Sequence, residues 1–149
     1  MKKIILLGVL VLGFPLLVFA QGFVGSKACQ ECHETEYNNF VKFSKKAKSY
    51  EHIAKMFPKL KEEEKKECFS CHTTGYGKGG FVSIEKTPQF SDVGCETCHG
   101  PGQEHIEAGG DPELIKGKGS LSIEDCTSCH TNERVQAFNF KPLLYGGVH

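Results

Sequence analysis

Cys95-Glu96-Thr97-Cys98-His99 is one of four copies of a Cys-x-x-Cys-His pattern; the others are Cys29-Gln30-Glu31-Cys32-His33, Cys68-Phe69-Ser70-Cys71-His72 and Cys126-Thr127-Ser128-Cys129-His130. Together they use all eight cysteines of the chain. In this pattern the two thiols form thioethers to the vinyl groups of haem c, and the histidine that follows is set under the iron as its proximal ligand. Cys29, Cys32, Cys68, Cys71, Cys95, Cys98, Cys126 and Cys129 are therefore read as attachment points for four haem c groups, with His33, His72, His99 and His130 as ligands of their irons. A structural zinc site draws four ligands from two half-sites and gives no reason for a histidine after every pair. A disulfide framework ignores the histidines too, and a thioredoxin-like redox pair occurs once, after a strand.

Export is expected from the first 20 residues. Met1-Lys2-Lys3 is a positive start, Ile4 to Phe19 is apolar, and Val18-Phe19-Ala20 offers a cleavage point ahead of Gln21. Gly8, Gly13 and Pro15 interrupt the apolar stretch, which falls short of the roughly 20 residues a membrane span prefers. The reading is a signal peptide over 1–20 and one cofactor-binding domain over 21–149, in the periplasm or outside the cell, with no stable membrane insertion after cleavage. Over the whole chain 18 basic residues balance 18 acidic ones; losing Lys2 and Lys3 turns the remainder acidic by about two charges. No basic stripe suggests nucleic acid, and Lys61 to Glu67 is a mixed-charge run suited to a solvated helix face. Redox partner proteins docking electrostatically are expected to be basic.

Four haem sites in one small domain leave roughly 32 residues for each, too few for an ordinary side-chain core. The cofactors must complete the core. The expected fold is mainly α, with helices and long loops wrapped around four covalent haems and little or no β-sheet. The attachment motifs recur at uneven spacing, so they are not a structural repeat of fixed period. One long helix is predicted from about Thr35 to Phe57, stopped by Pro58, with Tyr37, Phe40, Val41, Ser44, Ala47, Ile53 and Ala54 on one face. A second helix carries the charged run into Cys68 and Cys71. Ser122-Ile123-Glu124-Asp125 reads as a capping box opening a short helix, and Asp111-Pro112 as another helix start. Phe81-Val82-Ser83-Ile84 is at most a short strand or hairpin. Gly75-Tyr76-Gly77-Lys78-Gly79-Gly80 spells a dinucleotide fingerprint, but it follows a haem segment and not a strand, so it is read as a loop.

Four irons have eight axial positions, and the chain has seven histidines. After the four proximal ones, His52, His105 and His149 remain as candidates for the opposite faces. Each also has a plainer reading: a helix surface, a loop cap and a chain terminus. At least one iron needs another ligand or has none, and Met56 is the sole methionine beyond the leader.

Three segments carry a resemblance beyond the haem motif: Gly25-Ser26-Lys27-Ala28-Cys29-Gln30-Glu31-Cys32-His33; Cys71-His72-Thr73-Thr74-Gly75-Tyr76-Gly77 with Gly79-Gly80-Phe81; and Val93-Gly94-Cys95-Glu96-Thr97-Cys98-His99-Gly100-Pro101-Gly102. The chain resembles the cytochrome c-554 family of small tetrahaem cytochromes from Gly25 to His149. The resemblance implies a helical fold around haems in van der Waals contact, some parallel and others near perpendicular. It implies that His105 serves the first haem opposite His33, that His149 serves the fourth opposite His130, and that the iron on His72 lacks a sixth ligand. Where the family often has a His-Ala-Lys-Ala segment supplying the third haem, this chain reads Ser44-Lys45-Lys46-Ala47-Lys48-Ser49. His52, one turn beyond Lys48, can take that role; otherwise the iron on His99 is open or bound by lysine.

The function expected from this is single-electron transfer through four packed haems in a respiratory or redox chain, with no catalytic residues assigned. Two other classes stay open: reduction of a nitrogen oxide or peroxide at a vacant iron, and a haem filament in which His149 reaches the next subunit. Either self-association or a monomer is compatible with the sequence. Four haems per chain, retained through acid–acetone extraction and counted by pyridine haemochrome and intact mass, are the expected content of protein matured by a competent host; bound zinc or fewer haems would refute the reading.

Overall fold

The computed structural model describes residues 22–117 and 121–131. Residues 1–21, 118–120 and 132–149, His149 among them, lie outside the described residues. Seven short α-helices follow one another: α1 (Ser26–Cys29), α2 (Glu34–Phe43), α3 (Ser49–Ala54), α4 (Glu62–His72), α5 (Cys95–His99), α6 (Gln103–Glu107) and α7 (Ile123–Thr127). Single 3₁₀ turns lie between several of them, and the described residues contain no strand. The fold is mainly helical, as expected. No helix among the described residues is long and apolar enough to cross a membrane.

The charged run begins α4. Glu62, Glu63 and Glu64 occupy its first turn, where carboxylates oppose the partial positive charge of the free N–H groups, and the Lys61 N–H donates to Glu64 Oε2 at 2.7 Å. The helix ends at His72 because Thr73 turns extended, its hydroxyl donating back to Phe69 O. Ser122 opens α7 in the predicted capping box with Asp125. Asp111 caps a 3₁₀ turn over Pro112–Leu114 by accepting from the Glu113 N–H at 3.0 Å.

One expectation needs correction. The long helix from Thr35 to Phe57 is two helices. At Ser44 the backbone is extended (φ −89°, ψ 125°), and the serine hydroxyl accepts from the Lys46 N–H, opening a 3₁₀ turn over Lys45–Lys48 before α3 begins. A serine hydroxyl competes with the helical ladder for backbone donors, and contacts from distant segments then fix α3 in its own direction. Ser49 Oγ donates to His72 O and accepts from the Val93 N–H, while the Tyr50 N–H donates to Asp92 Oδ1. Pro58 sits in a further turn, Phe57–Lys59, after α3 has ended at Ala54.

Phe81 to Ile84, expected to be at most a short strand or hairpin, form no strand. Phe81 N–H donates to Thr74 O and Val82 N–H to Thr87 Oγ1, which closes a wide turn without a ladder. The glycine stretch before it is a loop, with Gly75, Gly77 and Gly79 at positive φ. Gly80 is required by close approach to protein backbone, since a Cβ there would lie 2.3 Å from Thr74 O.

The side-chain core is small. Among the described residues Ile53, Phe81, Phe90 and Val93 are the buried hydrophobics. Phe81, 2% exposed, anchors an aromatic cluster with Phe69 (ring centroids 5.1 Å apart) and Tyr50 (5.8 Å), which Phe57 and Tyr76 extend. Phe69 stands between Cys68 and Cys71, so this cluster is what holds the second attachment motif. Phe81→Ala is expected to destabilise the holoprotein by about 3–5 kcal/mol, and Phe43→Ala, at an exposed position, by about 0.5 or less; thermal unfolding of the two variants beside the wild type checks the difference.

Candidate haem centres

All four motifs lie on a helix or the turn continuing one. α4 holds Cys68, Cys71 and His72, and α5 holds Cys95, Cys98 and His99. α1 and α7 end within their motifs, but helical bonding continues: the His33 N–H donates to Cys29 O at 2.9 Å, and the His130 N–H to Cys126 O at 3.0 Å. One helical turn brings the two thiols of each motif to the same side, with the histidine four residues after the first cysteine. None of the eight thiols is in a disulfide; Cys32 is exposed and the rest are partly buried.

The fold brings cysteines of different motifs together. The Cys29 and Cys95 side chains lie close together, and the Cys29 thiol, together with Ser26, holds the Cys95 thiol down to about 6 against the opposing effect of burial. Burial is the main cause pushing the Cys129 thiol up, and the neighbouring Cys71 adds to it. Burial likewise raises Cys98 and Cys126 against the pull of the half-buried Lys46, and the field of Cys126 adds to the rise at Cys98. Burial, followed by the charges of Lys46 and His72, lowers His130.

The histidines fall into distinct settings. The His33 and His105 rings face one another with centroids 6.3 Å apart and planes 20° apart. Two metal–imidazole bonds of about 2.0 Å each would hold ring centroids roughly 6 Å apart. His105 Nδ1 lies 2.8 Å from Asp111 O, and His99 Nδ1 is bonded to Lys116 O, whose own N–H donates to His99 O at 2.9 Å. A carbonyl that takes the Nδ1 proton leaves Nε2 with its lone pair for a metal. His52 is exposed on α3. His149 lies outside the described residues.

These donor sets fit haem c: paired thiols outside any disulfide, a histidine beside each pair, and a second imidazole at the right separation for one of them. Among the described residues no three histidine, cysteine or acidic side chains cluster to hold a bare metal ion.

What sequence reasoning missed is the scaffold behind the motifs. Glu96, 3% exposed, accepts from the N–H groups of Val24 (2.9 Å), Gly25 (2.7 Å) and Gly102 (2.8 Å). Ser26 Oγ accepts from the Cys95 N–H at 3.0 Å. Thr74 Oγ1 donates to Asp92 O and accepts from the Gly94 N–H. The available signal was an acid between two attachment cysteines, followed at once by Gly100-Pro101-Gly102, where backbone N–H groups come close.

A family model described as cytochrome c554 and c-prime matches residues 28–100. The chain is 31% identical over a 137-residue alignment to cytochrome c-554 of Nitrosomonas europaea, covering 74% of this chain and 58% of that protein. It is 32% identical over 84 residues to the multiheme cytochrome MtrA of Shewanella baltica, covering 48% of this chain and 25% of that protein. The chain therefore spans less than two thirds of the length of either relative. The solved structure of reduced cytochrome c554 from Nitrosomonas europaea superposes with a TM-score of 0.53 at 25% identity, covering 83% of this chain and 81% of that one. The facing rings make His105 the testable partner of His33: His105→Ala is expected to turn one haem from low to high spin without loss of haem, and an unchanged ferric EPR spectrum would return His105 to a plain helix residue.

Proposed function

Because the chain belongs to the cytochrome c554 family, whose members hold haem c covalently, we propose that it carries four haems and passes single electrons between them as an exported carrier in a respiratory or redox chain. The observation that supports this best is the contact between attachment sites. Cys29 meets Cys95, Cys98 lies in the field of Cys126, and Cys129 meets Cys71. The cysteine pairs thus run in the order first, third, fourth, second, with each pair close to the next. Cofactors anchored on neighbouring thiols are held close enough for electrons to pass without any moving part.

Haem c supplies a one-electron iron couple when bound. The chain's residues do the rest. Cys29, Cys32, Cys68, Cys71, Cys95, Cys98, Cys126 and Cys129 fix the positions, and His33, His72, His99 and His130 each offer one axial nitrogen. As the family resemblance implies, His105 would complete the first site and His149 the fourth; His52 or a lysine would complete the third, which is otherwise open, and the second, on His72, would keep an open position. The Asp111 and Lys116 carbonyls orient His105 and His99 and make their Nε2 atoms more basic, which favours the oxidised metal. Histidine pairs without methionine give low potentials.

The site of action is the periplasm or the cell exterior, and the partners are basic redox proteins. Spectroelectrochemical titration of the holoprotein is expected to resolve four one-electron steps at low potential, with fewer steps refuting the reading. The ferric protein is expected to include at least one high-spin haem, and carbon monoxide to bind that haem after reduction. A wholly low-spin protein inert to carbon monoxide would mean that the position opposite His72 is filled.

A further inference from the structure

We propose that Glu96, although it lies inside the third attachment motif, is the positioning residue for the axial histidine pair of the first haem. The side chain of Glu96 reaches away from its own motif to two other segments. On one side its carboxylate takes the N–H groups of Val24 and Gly25, and Gly25 is the N-cap of α1, which leads through Cys29 and Cys32 to His33. On the other it takes the Gly102 N–H, and Gly102 is the N-cap of α6, which carries His105 at its third position. The two helices that present the facing rings therefore both begin at N–H groups held by one carboxylate. The Gln103 N–H adds a direct bond to Gly22 O at 3.2 Å between the same two segments.

The geometry leaves little slack. A Cβ on Gly102 would lie 3.3 Å from Glu96 Oε1, so the carboxylate fills the space between the segments. Gly25 has φ +87°, a conformation that aims its N–H at Oε2 and that other residues rarely adopt. The carboxylate is nearly inaccessible to water, so no solvent is at hand to replace a lost bond. A glutamine here has a single acceptor oxygen. It can serve the Gly25 side or the Gly102 side, while its NH₂ group faces an N–H donor on the other. One of the two helices is then released, and the ring separation of 6.3 Å between His33 and His105 is no longer imposed.

The inference rests on the reading of His33 and His105 as ligands of one iron, and the experiment separates the two claims. Ferric EPR and visible spectra are recorded for holoprotein carrying Glu96→Gln, His105→Ala or both, with haem counted by pyridine haemochrome. The expected result is four haems in each, one additional high-spin haem in Glu96→Gln at the signal of His105→Ala, no further high-spin haem in the double variant, and return to low spin when imidazole is added. Should Glu96→Gln fail to mature, Glu96→Asp, which keeps the charge but draws the oxygens back by one methylene, carries the same comparison. An unchanged spectrum for the Glu96 variant beside a high-spin His105→Ala overturns the role of Glu96 and leaves the ligand reading standing. A second, additive high-spin haem in the double variant overturns it too, because Glu96 would then act on a different iron. An unchanged His105→Ala spectrum removes the ligand pair itself, and the inference with it.

Discussion

A carboxylate taken out of water loses several kcal/mol of hydration unless hydrogen bonds replace it, and in this protein that requirement organises the fold around Glu96. Three backbone N–H groups from two segments far apart in sequence converge on its oxygens. Bonds to an ionised acceptor are shorter and stronger than neutral ones. The N-terminal segment, the third attachment motif and the Gly-Pro-Gly loop after it are consequently fastened at one point. Hydrophobic contact alone would allow these segments to slide. A carboxylate with directional donors on both sides does not.

The same principle recurs with smaller groups. Ser26, Ser49 and Thr74 each bond a backbone group of another segment, and each ties two parts of the cofactor scaffold together. Ser49 joins the end of α4 at His72 to Val93, and Thr74 joins the residue after Thr73 to the approach of the third motif at Gly94. Buried polar side chains are as numerous here as buried apolar ones among the described residues: Ser49, Thr73, Thr74 and Glu96 against Ile53, Phe81, Phe90 and Val93. That balance suits a small chain built around large apolar cofactors. On the haem reading the porphyrin faces would supply the apolar burial that drives folding, and the protein's own buried groups are left to set position and register.

The attachment motifs were legible in the sequence because they consist of two thiols and a histidine at fixed local spacing, and local spacing is what a sequence displays. α4 and its acidic first turn, the capping box before α7 and the Asp-Pro turn were legible for the same reason: each depends on residues within a few positions of one another. The break at Ser44 was not. Apolar periodicity ran straight through it, and what separates α2 from α3 is a serine hydroxyl turned onto the Lys46 N–H, together with partners of Ser49 and Tyr50 more than twenty residues away.

The distal ligands mark the boundary most clearly. Counting histidines limited the candidates to His52, His105 and His149, but a count carries no distances. Only the folded chain sets His105 against His33, fixes its Nδ1 on the Asp111 carbonyl and leaves His52 on an exposed helix face. The sequence by itself determined which residues are the candidates to hold haem, since each Cys-x-x-Cys-His motif is complete within five consecutive residues. The tertiary structure decided which motifs neighbour one another and which imidazoles face across a site, because those relations depend on long-range hydrogen bonds, above all those of Glu96, that join segments about 70 residues apart.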